Sequence, residues 1–213
     1  MVLHDVAERV PAAGGDDCVR LGVDGVDGAG KTVFAGELAT VLRELGRHVV
    51  RVSVDDFHHP RAVRYRRGRT SPEGCWLDSF DYARLRADVL EPLGPGGSRR
   101  YRPVAHDLVT DELVESPVHL APPGAVLVVD GLFLHRDELR DAWEMTVFLD
   151  VPFAETARRM ADRDGTNPDP RHPSMRRYVE AQRLYVAACA PRRRATLVVD
   201  NTDVDAPELV EAR

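Results

Sequence analysis

Short apolar runs alternate with amphipathic stretches along most of the chain. Residues 19–24, VRLGVD, form a mostly apolar run ending near a glycine, and residues 31–45 then place Val33, Phe34, Leu38, Val41, Leu42 and Leu45 at helical spacing. Gly46 ends that helix, and HVVRVSVDD (48–56), with Val49, Val52 and Val54, has the β-branched bias of the next strand. Residues 57–77 carry arginines, prolines and glycines and predict an irregular segment; 80–93 then reads as a helix, which GPGGS breaks. The second half repeats the alternation. AVLVVDG (125–131) and MTVFLD (145–150) read as buried strands with a helix near 136–143 between them. Helices over 153–163 and 175–190 lead to a last strand, ATLVVD (195–200). This pattern predicts an α/β fold, an open, mostly parallel sheet of about five strands flanked by helices.

A length of 213 residues suits one domain, taken as 18–213, with 1–17 as an N-terminal extension. A net charge of −6 argues against a nucleic-acid partner, because non-specific binding needs a basic surface. Cys18, Cys75 and Cys189 are odd in number and far apart, which suggests neither a disulfide framework nor a zinc site and fits a reducing compartment. The acidic start lacks the pattern of a signal peptide, and no run approaches the roughly 20 apolar residues of a membrane span. The expectation is a cytoplasmic protein acting on a small molecule, with neither nucleic acid nor membrane as partner and self-association left open.

One stretch narrows the chemistry. GVDGAGKT, residues 25–32, satisfies G-x-x-x-x-G-K-[ST] between a strand and a helix, the context a phosphate-binding loop requires. It also holds Lys31, the single lysine among 29 basic residues. A compact ammonium reaches the β- and γ-phosphates as a point charge inside a cramped loop, where a planar guanidinium is too broad. Gly25, Asp27, Gly28, Ala29, Gly30, Lys31, Thr32 and Val33 are therefore the expected nucleotide-binding residues, with ATP as the nucleotide and the Thr32 hydroxyl on Mg²⁺. Asp130, ending the apolar run VLVVD, is the second expected metal-site residue. Asp55 and Asp56 end the second strand, at the carboxyl edge where open α/β sheets bind ligands, and either could take a proton from a substrate hydroxyl. Arg159 and Arg163 share a helix face and could neutralise charge on a transferred phosphoryl group.

Read in order, GVDGAGKT, SVDDFHH, SFDYARL, VVDGLF, RRMADRD, RRYVEAQRLY and APRRRATLVVDN resemble the uridine kinase and phosphoribulokinase-like group of P-loop kinases. The resemblance runs from about Val19 to Asn201. It implies a P-loop NTPase fold of the nucleoside-kinase type, Asp55 as general base with Phe57 and His58 beside it in the acceptor site, and a mobile lid around 153–178 carrying Arg159 and Arg163. It also puts His106 and Asp107 near the base of a nucleoside. Two departures stand out. Asp130 replaces the usual glutamate and would reach Mg²⁺ through water. The position of the family's ribose-binding aspartate falls on Cys75, so that Glu73 or Asp78 is left to hold ribose, Asp78 being otherwise a cap for the helix that follows.

The expected activity is Mg²⁺-ATP-dependent phosphorylation of a hydroxyl, foremost the 5′-hydroxyl of a pyrimidine nucleoside, with another small alcohol or ribosyl compound as the alternative acceptor. A non-catalytic nucleotide switch is the rival from another class. Guanine reading by an N-K-x-D motif is excluded, since the only lysine already lies in the loop.

Overall fold

Strand β1 (Val19–Gly25) is buried along its whole length, because both faces of the sheet around it are covered. That is why its sequence runs apolar instead of alternating. The computed structural model describes residues 2–210. In chain order, α1 (Val2–Glu8) precedes β1, and α2 (Lys31–Glu44) and β2 (Val49–Ser53) follow it. Three short helices come next, α3 (Arg61–Arg64), α4 (Pro72–Asp78) and α5 (Tyr82–Leu85). Two small antiparallel ribbons pair β3 (Arg100–Tyr101) with β6 (His119–Leu120) and β4 (His106–Asp107) with β5 (Glu112–Leu113). The chain then returns to the main sheet with β7 (Val126–Gly131) and β8 (Met145–Asp150). It closes with α6 (Phe153–Asp164), α7 (Arg176–Cys189), α8 (Pro191–Arg194), β9 (Leu197–Asp200) and β10 (Glu208–Val210).

The main sheet has the order β2-β7-β1-β8-β9-β10. The first five of these are parallel, and β10 adds antiparallel to β9, making six strands where about five are expected. One core lies between the sheet and α1 and α2, with Val6, Phe34, Leu38 and Leu42 against Leu21, Val23 and Leu149. The other lies under α4, α5 and α7, where Tyr82, Leu85, Ala181 and Tyr185 meet Val52, Leu127 and Val129. Because β1 sits between β7 and β8 with all three parallel, the loop after β1 opens among neighbouring strand ends. That is where ligands bind in open α/β sheets.

Several local expectations are revised. The first 17 residues are no mere extension, since α1 buries Val6 and Ala7 in the core beside α2. Within 57–77, expected to be irregular, α4 forms because Ser71 caps it, accepting from the Gly74 amide at 3.0 Å, with Pro72 in the first turn. The helix expected over 80–93 starts at Tyr82, capped by Asp81, and widens into a π-helical turn at Arg86–Leu90. Of the helix expected near 136–143 only a 3₁₀ turn, Arg140–Ala142, exists. There His135 and Arg136 are buried through polar partners, so the apolar spacing does not describe one face.

Gly131 closes β7 against the second strand's exit: a Cβ at this position would lie 2.5 Å from Val54 Cβ, in the core. Overpacking of this kind costs about 1–3 kcal/mol. Gly131→Ala is therefore expected to melt roughly 2–12 °C below wild type, at the 2–4 °C per kcal/mol usual for a chain of this size. An unchanged melting temperature would show that Val54 yields freely.

Candidate active site

The loop between β1 and α2 turns on glycines for steric reasons. Gly28 and Gly30 have φ of 77° and 88°, and a Cβ would meet the Thr156 carbonyl oxygen at 2.6 Å from Gly28 and Asn201 Nδ2 at 2.9 Å from Gly30. Gly25 is shut in by the Leu149 carbonyl oxygen, 2.9 Å from where its Cβ would be. Distant side chains pin the loop. Asp24 Oδ1 accepts from the Gly25 amide at 2.7 Å, Gln182 Oε1 of α7 accepts from the Asp27 amide at 3.1 Å, and Asn201 Nδ2 donates to the Ala29 carbonyl at 2.8 Å. Behind the loop Asp24 is fully buried. Its Oδ2 accepts from the Tyr185 hydroxyl and meets His135 Nδ1 at 2.6 Å, while His135 Nε2 lies 3.0 Å from Thr146 Oγ1. Burial and the neighbouring Asp24 carboxylate raise the Tyr185 phenol well above its ordinary range, so it stays a donor.

At the N-terminus of α2, the Lys31 ammonium donates across the loop to the Val26 carbonyl at 2.9 Å. The Thr32 hydroxyl donates to Asp130 Oδ2 at 2.8 Å, and Arg51 Nη2 holds the other Asp130 oxygen at 2.5 Å. Asp130 reaches this place because it is level with Val23 of β1 and Ser53 of β2 in the sheet. Mg²⁺, implied by such a loop, fits this donor set. It takes hard oxygens, usually one or two from protein, and completes its shell with water and phosphate. Among the described residues no group of three His, Cys, Asp or Glu forms an all-protein cage.

These groups face a cleft of about 340 Å³ lined on the loop side by Asp27, Gly28, Gly30, Lys31, Thr32 and Val33. Asp55, Asp130 and Arg163 also face it. Asp55 is the second residue of a 3₁₀ turn, Val54–Phe57, and donates its amide to the capping Ser53 hydroxyl. The Asp55 side chain stays more than half exposed in the open cleft; partial desolvation there raises its carboxyl above the ordinary range, Lys31 opposes this, and Asp27 and Asp130 add to it. Asp56 is raised by burial and by Asp55, but it does not face the cleft. The His58 imidazole is held neutral, its pKa lowered to about 4 mainly by burial, and it packs on Phe80 at 4.3 Å between ring centroids. The rest of the cleft is walled by Arg64, Tyr65, Cys75 and Ser79, and by Arg177 and Tyr178 of α7.

Not every expected site residue meets there. Phe57 is fully buried in the core and does not line the cleft. Asp78 is neither a ribose ligand facing the cleft nor the cap of the next helix: it ends α4, buried, and pairs with Arg66 and with Arg67 Nε at 2.8 Å. The alternative ribose ligand, Glu73, also lies off the cleft, in the first turn of α4. His106 is buried against Asp111 at 3.2 Å, and Asp107 accepts from the Val109 and Thr110 amides in its own turn, so both stand away from the cleft. Arg159 donates to the Asn201 and Thr202 carbonyls, both at 2.8 Å, and lines a separate shallow cavity with Glu155 and Asp203. Arg163 does face the cleft, 3.8 Å from Asp27. The sequence reading missed Asp24, Gln182, Asn201, Arg51, Arg64 and Arg177. Asp24 lies next to the motif, and Arg177, Gln182 and Asn201 lie in stretches that carry the resemblance without a role assigned to them; Arg51 and Arg64 carried no signal.

No family model and no curated protein matches the chain. Solved structures do. A possible uridine kinase from Bacillus stearothermophilus superposes with a TM-score of 0.72 at 24% identity, over 92% of this chain and 95% of that one. A candidate fructose transport system kinase from Silicibacter sp. TM1040 gives 0.71 at 22% identity, over 89% and 96%. D-glycerate 3-kinase from Cryptococcus neoformans gives 0.59 at 12% identity, over 98% and 96%. The chain has the fold of the P-loop kinases.

Tyr185→Phe removes a hydrogen bond to a buried carboxylate, an interaction that contributes about 1.5–3 kcal/mol. The variant is expected to lose that much stability in urea unfolding and to bind ATP more weakly in calorimetric titration, since the loop's first amide hangs from the same Asp24. Full ATP affinity in the destabilised variant would disconnect the buried pair from the loop.

Proposed function

We infer that this chain, which has the fold of the P-loop kinases, transfers the γ-phosphoryl group of ATP to the hydroxyl of a small alcohol in the cytoplasm. The observation that carries the reading is that Asp55 shares one cleft with the Lys31 loop and the Thr32–Asp130 pair. A nucleotide switch needs no strand-end carboxylate beyond the one at its metal, whereas a kinase needs a further one as base beside the phosphates.

The loop amides and the N-terminus of α2 bind the phosphates, and Lys31 sets a positive charge beside the β- and γ-oxygens. Mg²⁺ held at Thr32 and Asp130 supplies neutralisation of the charge that builds on the phosphate oxygens. The acceptor oxygen attacks the γ-phosphorus in line, its proton passes to Asp55, and the bond from phosphorus to the β-bridging oxygen breaks to release ADP. Arg163 takes up charge on the transferred group, and the segment around 153–178 acts as its lid, carrying Arg159 as well. His58 and Phe80 wall the reacting hydroxyl from water.

The finer reading is a pyrimidine nucleoside as acceptor. The likeness to a possible uridine kinase supports it, as do the rings of His58, Phe80 and Tyr178 in the cleft, on which a base could stack. Against it stands the acceptor side itself, which offers Cys75 and no carboxylate for ribose hydroxyls. A panel of nucleosides and other alcohols incubated with Mg²⁺-ATP, with products read by mass, decides between acceptors. No phosphorylated product from any alcohol, with ATP bound, would favour the switch.

Asp55 acts as the carboxylate, and its pKa is raised, so activity is lost as pH falls through a value above the ordinary ~3.9 of aspartate. The acid limb of kcat/KM is expected above that value. Asp55→Asn is expected to keep ATP binding, lower turnover by about a hundredfold or more and abolish the limb. An Asn variant with the limb intact would assign the proton to another group.

A further inference from the structure

The acceptor side of the cleft has a charge pattern that a neutral sugar or nucleoside does not match. All three carboxylates lining the cleft, Asp27, Asp55 and Asp130, stand at the phosphate loop or at the strand ends next to it. The wall drawn from α3, α4 and α7 carries two guanidinium groups, Arg64 and Arg177, and no lining acid. Arg64 is 8% exposed, and among the described residues its only ion pair is with Asp111, at 3.3 Å through Nη2. Its Nε is buried with no hydrogen-bond partner. Arg177 donates to the Arg69 carbonyl at 2.8 Å and lies over the Tyr65 ring at 5.0 Å. Among the described residues no carboxylate lies within ion-pair distance of it. The contrast with Arg66 and Arg67 is direct, because those two share Asp78, outside the cleft.

Buried guanidinium nitrogen without a partner is costly, and a planar fork is the group best suited to carboxylate or phosphate. Cys75 fits the same pattern. Its thiol lies close enough to Arg177 to be drawn down by it, although burial raises it overall, and a thiol offers a ribose diol almost nothing to bond to. Both arginines also press on His58, which faces the same space, and help burial to keep its ring neutral. Lys31 and Arg163 stand beside the carboxylates of the loop and strand ends, whereas Arg64 and Arg177 share their part of the cleft with no lining acid. The volume, about 340 Å³ including the space for the γ-phosphate, holds only a small acceptor.

We propose that the acceptor is a small alcohol bearing an oxyanion, a carboxylate or a phosphate ester, seated on Arg64 and Arg177 with its hydroxyl at Asp55. This rests on the kinase reading above and deepens it: the anion fixes the substrate, and the distance from the arginines to Asp55 selects which hydroxyl reacts.

The test offers the wild-type full-length protein, with Mg²⁺-ATP, three arms of acceptors: neutral polyols and nucleosides including uridine and glycerol, hydroxy acids including glycerate, and phosphorylated alcohols including glycerol 3-phosphate. Turnover is read by mass and ATP binding by calorimetry. The expected result is a best acceptor in one of the two anionic arms, with kcat/KM at least tenfold above every neutral compound; which arm it is tells carboxylate from phosphate. Arg177, half-buried and on the surface of α7, provides the variant least prone to misfold. Arg177→Gln is expected to raise the KM of that acceptor at least tenfold, and Arg177→Lys to recover part of the loss by restoring the charge. A neutral best acceptor overturns the proposal while leaving the kinase reading intact, and so does an unchanged KM in Arg177→Gln. ATP binding with no turnover in either anionic arm overturns it as well, whereas a protein that does not bind ATP at all brings down the kinase reading first and this inference with it.

Discussion

Backbone amides can grip a phosphate only if several of them face the same point, and L-residues with side chains cannot turn a chain that tightly. The rest of the structure answers to that constraint. Gly28 and Gly30 take left-handed backbone angles, and the space their missing Cβ atoms would need is already filled by Thr156 and Asn201. The loop is thus wedged between α6 and the exit of β9. Its shape is set from outside by groups that do not line the cleft: Asp24 beneath it, Gln182 on α7 and Asn201 beyond β9. Tyr185, one turn further along the same face of α7 as Gln182, holds Asp24 and thereby ties the acceptor wall to the loop, since α7 also carries Arg177 and Tyr178 into the cleft.

Charge is distributed across the cleft with the same economy. Asp130 is neutralised on one side by Arg51 and bonded on the other to Thr32, so it is fixed in place before any ion arrives. Among the described residues Asp55 has no such ion-pair clamp from an arginine; the His58 ring, 4.0 Å away, is neutral at ordinary pH. A carboxylate in an open cleft, partly desolvated and without a strong partner, keeps a raised affinity for a proton, which is what a base at the point of transfer needs. Arg66, Arg67 and Arg20, outside the cleft, are paired with acids, whereas among the described residues Arg177 is not.

What could be read from sequence alone follows physical lines. Strands β1, β7 and β8 were legible because burial on both faces leaves no polar alternation to confuse them, and the loop was legible because its glycines and lysine are contiguous. Helix α4 was hidden, since it is short and its cue is a serine cap followed by proline instead of an apolar stripe. The stretch around His135 reads as a helix only if His135 and Arg136 are taken as surface residues. Both are buried, His135 by Asp24, which is 111 positions away, and Arg136 by the rings of Trp76 and Tyr82. Asp78 shows the limit from the other side: nothing local reveals that Arg66 and Arg67 close over it. The acceptor wall, assembled from α3, α4 and α7, was illegible for the same reason, because its members are drawn from segments far apart in the chain.

The central claim is that the amides of residues 28–33 and the single lysine form the triphosphate site. Amide-proton chemical shifts of isotope-labelled protein, followed while Mg²⁺-ATP is added, test it most directly. The account predicts large downfield shifts concentrated in residues 28–33, saturating together and absent when adenosine replaces ATP. ATP binding that leaves those amides unmoved, or adenosine binding as tightly as ATP, would contradict it.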